Sequence, residues 1–226
     1  MKIFMIPGLG FDHRIFRNLH LPDCQPVFLN WIDPLPEETL NGYAKRIAQL
    51  IPDNEPIILL GHSFGGILCQ MISELKKVDA IFLISTIESR NELPLNLKII
   101  AHLGLERVIT RSLILRSFRF WGESYGYSDK EAQSLFKEMI KNNSKTYLKW
   151  ALKTISEWEE PESSRNGAKV IRIHGALDKT FPIKRMNAVD YIIDGGHHFM
   201  VFQKAAKISE IIMKEIEFSE QMSESD

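Results

Sequence analysis

Cysteine is scarce: Cys24 and Cys69 are the only two in 226 residues. Two thiols cannot staple a small secreted scaffold, and neither stands in a CxxC or other metal-ligand spacing, so the disulfide-framework and zinc-module classes drop out. An excess of one charge is missing too. Lys and Arg number 28 against 29 Asp and Glu, a formal net charge of -1. That balance removes the basic field expected of a nucleic-acid binder and the acidic excess of a solvating tail. Long apolar runs are absent, since no stretch approaches the ~20 residues of a membrane span. The opening Met1-Lys2-Ile3-Phe4-Met5-Ile6 is too short for the apolar region of a signal peptide and ends in a Pro7-Gly8 turn. The expectation is a soluble, cytoplasmic protein with neither a membrane span nor a nucleic-acid partner.

What is present is an ordinary globular composition, 44% hydrophobic and 25% charged. Short apolar runs occupy 3–6, 27–29, 57–60, 80–84, 170–173 and 189–193. Runs without polar alternation suit strands buried on both faces, hence a parallel sheet covered by helices. Helical periodicity fills the gaps. A segment opened by Pro36-Glu37-Glu38-Thr39 places Tyr43, Ile47 and Leu50 on one face before Pro52 stops it, and 65–77 and 205–218 show the same spacing. The pattern predicts an α/β fold: a doubly wound, mostly parallel sheet of about six strands with helices on both faces.

One stretch breaks the alternation. Residues 86–167 carry no convincing strand. Apolar spacing at 96–118 and helical patterns at 130–142 and 145–158 read as a helical insertion. Ser128 and Glu131 have the spacing of a capping box. The domain reading is a core of 1–85 and 168–218, a helical cap over 86–167, and a polar, disordered tail at 219–226.

The sharpest signal is Gly61-His62-Ser63-Phe64-Gly65-Gly66, a GxSxG placed directly after a buried strand and before a helix. A strand that reverses at once into a helix holds its corner residue in strained geometry, and its flanks must lack a Cβ. The corner side chain then projects above the carboxyl edge of the sheet, where the new helix aims its free N–H groups. Two more loops follow strands. His174-Gly175-Ala176-Leu177-Asp178 brings up a carboxylate, although aspartate alone is also a common turn residue. Gly195-Gly196-His197-His198-Phe199 brings up an imidazole, and no companion ligand spacing suggests a metal. Serine, acid and histidine thus all leave the carboxyl ends of strands, the edge where open α/β sheets place their sites. A serine hydroxyl needs a base, imidazole suits that task, and a carboxylate fixes the imidazole tautomer.

On these residues the chain resembles the α/β-hydrolase superfamily of serine hydrolases. Pro7-Gly8-Leu9-Gly10, the GHSFGG elbow, the HGALDKTFP segment and GGHHF all match, and only the insertion falls outside the likeness. The resemblance implies Ser63 as nucleophile, Asp178 as acid and His198 as base, because the family's histidine commonly precedes an aromatic or apolar residue. His197 is the alternative base, since it directly follows glycine. Glu88 is a fallback acid. The backbone N–H groups of Leu9 and Phe64 would form the oxyanion hole, with Pro7 replacing a histidine that donates nothing to it.

The implied activity is cleavage of a small-molecule carboxylic ester or thioester with a small to medium, apolar acyl group. The insertion would act as a lid whose Leu95, Ile99, Leu103, Ile114, Phe118, Phe120, Trp121 and Trp150 pack onto the core or line an acyl pocket. Lys98, Arg107, Arg111, Arg116 and Arg119, facing only Glu106, form a solvated helix face or steer an acidic acyl carrier. Acyl transfer and non-catalytic ligand binding on the same fold are the competing classes. No metal or organic cofactor is implied.

Overall fold

The computed structural model describes residues 1–53, 55–104, 108–161 and 167–223. In chain order they form β1 (Lys2–Ile6), β2 (Gln25–Phe28), α1 (Leu40–Ala48), β3 (Ile57–His62), α2 (Phe64–Ser73) and β4 (Ala80–Ile84). Then come α3 (Leu95–His102), α4 (Arg111–Trp121), α5 (Lys130–Asn142), α6 (Lys145–Glu157), β5 (Lys169–Gly175), β6 (Tyr191–Ile193), α7 (Met200–Gln203) and α8 (Ala205–Ser223). The six strands pair in parallel in the order β2-β1-β3-β4-β5-β6, the doubly wound sheet the sequence predicts.

The unbroken apolar runs follow from burial on both faces. Ile3, Met5, Ile58, Leu60, Phe82 and Ile84 point one way, onto Ile208, Ile211 and Ile212 of α8. Their neighbours Phe4, Ile6, Ile57, Leu59, Ile81 and Leu83 point the other way, onto Tyr43 and Ile47 of α1 and Leu68, Cys69 and Ile72 of α2. Cys69 is wholly buried, and that burial pushes its thiol pKa up. It packs as a small apolar side chain.

The chain winds from β1 outward to β2, then returns to place β3 on β1's other side. This reversal makes a topological switch point, where loops leaving adjacent strands diverge and open a crevice at the carboxyl edge. The loops after β1 and β3 flank it.

Between β4 and β5 the described residues hold four α-helices and no strand. They are built into the core. Phe118 of α4 and Phe136 of α5 stack at 4.7 Å, in the same apolar cluster as α8. On α6, Tyr147, Leu148, Ala151 and Ile155 pack with Phe64 and Ile67 of α2. The start of the segment is pinned by a buried ion pair, in which Arg172 of β5 grips Glu92 with two bonds of 3.0 and 2.8 Å. Glu88 joins the same guanidinium at 3.0 Å.

Several boundaries differ from the sequence reading. Helix α1 starts at Leu40 rather than near Pro36, because Glu37 takes a positive φ of 56° and Thr39 caps the Gly42 N–H. It ends at Ala48, leaving Leu50 outside and exposed. The cap of α5 is Asp129, whose carboxylate accepts from the Ala132 N–H at 2.7 Å. Ser128 is not the cap, and Glu131 turns to Arg17 instead of back to the helix start. The 96–118 pattern divides into α3 and α4, with Thr110 capping the second. The C-terminal segment expected as a disordered tail is helical as far as Ser223. Lys169 holds Glu215 at 2.8 Å and Ser219 at 3.2 Å, which extends α8 beyond its apolar stripe.

Candidate active site

Ser63 stands at the corner between β3 and α2 with φ 53° and ψ -120°, a conformation that costs a non-glycine residue on the order of 1–3 kcal/mol. Its neighbours over-determine it. The Ser63 N–H donates to the Ile84 carbonyl at 2.9 Å. The Ser63 carbonyl accepts from the Gly66 N–H at 2.9 Å and from the Thr86 hydroxyl at 2.6 Å. The glycines are steric necessities. A Cβ on Gly65 would collide with the Ile6 carbonyl oxygen, and one on Gly61 with the backbone of Gly66.

The loops after β5 and β6 are tied to each other before they meet Ser63. The Leu177 N–H donates to the Gly196 carbonyl at 2.8 Å, and the Ala176 N–H donates to the Ile193 carbonyl at 3.1 Å. Asp178 is thereby placed under His198. Its Oδ2 lies 2.8 Å from His198 Nδ1, while its Oδ1 accepts from the Thr180 and Phe181 N–H groups at 2.8 and 2.9 Å. On the far side of the ring, His198 Nε2 lies 2.9 Å from Ser63 Oγ. Ser63, His198 and Asp178 therefore form one continuous row of hydrogen bonds, all three side chains buried.

The protonation pattern follows from the partners. Burial alone would raise the Asp178 pKa. The facing His198, its hydrogen bond, nearby His174 and the Phe181 N–H outweigh that, so the carboxyl lies below its ordinary range and is ionised. A carboxylate only accepts, so His198 Nδ1 carries the proton and Nε2 is left to accept from the Ser63 hydroxyl.

Two further histidines support this row, and sequence reasoning assigned neither a role, although both stand inside the motifs it singled out. His62, beside Ser63, donates through Nε2 to the His198 carbonyl at 2.9 Å. His174 donates through Nε2 to the Phe181 carbonyl at 2.7 Å and so holds the loop that carries Asp178. Burial, reinforced by the charge His198 can carry, lowers the His62 pKa to about 3. Burial also lowers that of His174.

Acid stability should register this. An unfolded chain protonates His62 near pH 6.5, whereas the folded chain refuses the proton until about 3. Between those values the unfolded state binds more protons, so stability falls with acidification by about 1.4 kcal/mol per pH unit for this group. His174 acts in the same direction. The expected result is a urea-unfolding free energy that declines from pH 6.5 downward, with a His62→Gln chain losing about one proton from the slope. An unchanged slope in that variant would refute the assignment.

The remaining candidates lie elsewhere or beside the row. His197 lines a separate groove with Gly126, Gln203 and Lys204. Its Nδ1 is buried with no hydrogen-bond partner among the described residues. Glu88 is taken up by Arg172. Phe64 opens α2, which leaves its N–H without an intrahelical acceptor. Leu9 follows Gly8, and a Cβ on Gly8 would sit 3.1 Å from Ser63 Cβ, so this loop runs directly against Ser63. Arg107 and Glu106 lie outside the described residues. Among the described residues no group of three or more His, Cys, Asp or Glu is placed to hold a metal ion, and no helix is long and apolar enough to cross a membrane.

Residues 3–211 match a family model described as "Alpha/beta hydrolase family". No curated protein matches the chain in sequence. Among solved structures, a lipase-esterase related protein from Clostridium acetobutylicum ATCC 824 superposes with a TM-score of 0.73 at 17% identity, over 94% of this chain and 93% of that one. A bromoperoxidase from Bacillus anthracis does so at 0.74 and 15%, over 96% and 91%. A putative lipase from Acinetobacter baumannii AYE gives 0.73 and 13%, over 97% and 84%. At these identities the likeness is one of fold.

Proposed function

Because the chain belongs to the alpha/beta hydrolase family, we propose that it is a serine hydrolase that cleaves a carboxylic ester or thioester through an acyl-enzyme intermediate. The observation that carries this reading is the row of 2.9 and 2.8 Å contacts from Ser63 Oγ through His198 to Asp178. In this reading His198 Nε2 takes the Ser63 proton as Oγ bonds to the acyl carbon. The tetrahedral oxyanion is held by the Phe64 and Leu9 N–H groups. The carbon–oxygen or carbon–sulfur bond then breaks, and the leaving alcohol or thiol departs with the proton from His198. Water, deprotonated by the same imidazole, attacks the acyl-enzyme and releases the carboxylic acid with Ser63 restored.

An apolar acyl group suits the surroundings. The cluster that holds Phe64 and Phe181 also contains Ile87, Leu93, Ile155 and Trp158, and Phe181 meets the His198 ring edge-on at 5.5 Å. Ser63 is only 6% exposed, and in this reading the helices of 86–167, which pack beside it through Phe64, act as a lid. An acidic acyl carrier is the weaker partner reading. Arg111 is committed to the carbonyls of Lys141 and Asn143, so this guanidinium is not held free for a partner.

The test is covalent. A fluorophosphonate probe should label one residue per chain, mapped to Ser63 by mass spectrometry, and leave Ser63→Ala unlabelled. A folded wild-type chain inert to the probe and to graded p-nitrophenyl esters would point to a ligand binder instead.

A further inference from the structure

Trp31 lies in the loop between β2 and α1, far in sequence from every motif, yet it touches Phe64, one of the two residues assigned to the oxyanion hole, and Gly8, which precedes the other. Its indole Nε1–H donates to the Gly8 carbonyl at 3.0 Å. Its ring stacks on that of Phe64, with centroids 4.8 Å apart and planes 11° from parallel. Tyr147 of α6 packs against the indole at 5.4 Å and Tyr43 of α1 at 5.8 Å, which holds the ring in place.

The bond to Gly8 has a directional consequence. A trans peptide is planar, and its C=O and N–H point in opposite directions. The Gly8 carbonyl belongs to the same peptide plane as the Leu9 N–H. Two donors grip that carbonyl, the Trp31 indole and the Phe11 N–H at 3.1 Å. Fixing the oxygen fixes the N–H on the opposite side, and Gly8 abuts Ser63. The Phe11 bond closes a tight turn and rotates with it, so the indole is the anchor that comes from outside the loop. The stack on Phe64 ties this anchor to the residue carrying the second donor.

Resting on the serine-hydrolase reading above, we infer that Trp31 is a positioning residue for the oxyanion hole, setting the Leu9 N–H through the Gly8 carbonyl and steadying Phe64 by its stack. It touches neither substrate nor reacting atoms in this role. Its effect falls on the transition state, because a donor that must meet an oxyanion already oriented loses most of its value when it rotates away. Loss of the indole N–H should lower kcat and leave KM nearly unchanged, whereas a structural fault would cut the number of working sites.

The experiment compares wild type, Ser63→Ala, Trp31→Phe, and a chain with benzothienylalanine placed at position 31, which keeps the bicyclic ring and removes only the N–H. The substrate is p-nitrophenyl acetate, and active sites are counted with the fluorophosphonate. The expected result for both position-31 chains is one titratable serine per chain, a KM within about twofold of wild type, and a kcat lower by about 10- to 100-fold. Affinity for a trifluoromethyl ketone, which forms an oxyanion on Ser63, should fall by the same factor, and affinity for acetate should not change. An unchanged kcat and ketone affinity in the benzothienyl chain would overturn the inference, as would a loss explained by fewer titratable sites. If wild type turns over no faster than Ser63→Ala, the serine-hydrolase reading itself fails and takes the inference with it.

Discussion

His198→Ala is expected to lower kcat for ester hydrolysis by about 10⁴- to 10⁶-fold, while His197→Ala stays within about threefold of wild type. The two residues are adjacent in sequence and opposite in surroundings. His198 lies between Ser63 Oγ at 2.9 Å and Asp178 Oδ2 at 2.8 Å. Removing it leaves a hydroxyl with no base, and at neutral pH a serine hydroxyl alone is a poor nucleophile. His197 cannot step in. Its side chain packs against Gly126, where an added Cβ would come within 2.6 Å of His197 Cβ, and its ring belongs to the groove on that side. The measurement is kcat on p-nitrophenyl esters for both variants, with urea unfolding to establish that each is folded. Comparable activity in His198→Ala and wild type, or a collapse confined to His197→Ala, would move the base to the other histidine.

The fold was legible in the sequence because both sheet faces are covered. Every residue of β3 and β4 is buried, so apolar runs mark those strands almost to the residue. The edges read less well. In β2 the strand includes Gln25 and Pro26, and β6 has only three residues, because an edge strand with one exposed side needs no continuous apolar run. The span 130–142 reads as a helix to the residue, and only the cap differs, Asp129 in place of Ser128. The loops that carry Ser63, Asp178 and the histidine pair announced themselves by glycines that the tight turns require. The supporting residues did not. The role of His174 depends on a carbonyl seven residues onward, and Trp31 follows a half-exposed edge strand with no motif around it. Their parts exist only once the chain has brought β1, β3 and the β2–α1 loop together, and no local spacing encodes that.

Asp178→Asn should fold normally and yet lose about 10⁴-fold in kcat, because the change reverses a tautomer without emptying the site. The carboxylate uses its two oxygens differently. Oδ1 accepts from the Thr180 and Phe181 N–H groups, and Oδ2 accepts from His198 Nδ1. An asparagine has one acceptor oxygen and one donor NH₂. Two backbone N–H groups face the Oδ1 position, so the amide oxygen must remain there, and the NH₂ is turned toward His198. Nδ1 must then accept, which moves the imidazole proton to Nε2. That nitrogen now presents N–H to Ser63 and can no longer take its proton. Shape and hydrogen-bond count are conserved, so urea unfolding should show a stability close to wild type, apart from the contribution of the ionised carboxylate. That contribution is greatest above the ordinary aspartate range and vanishes in wild type as pH falls through the lowered Asp178 pKa. Glu88→Gln serves as the control, since Glu88 faces Arg172 at 3.0 Å and not the imidazole. If Asp178→Asn kept wild-type kcat while Glu88→Gln lost it, the acid would have to be reassigned to the loop after β4.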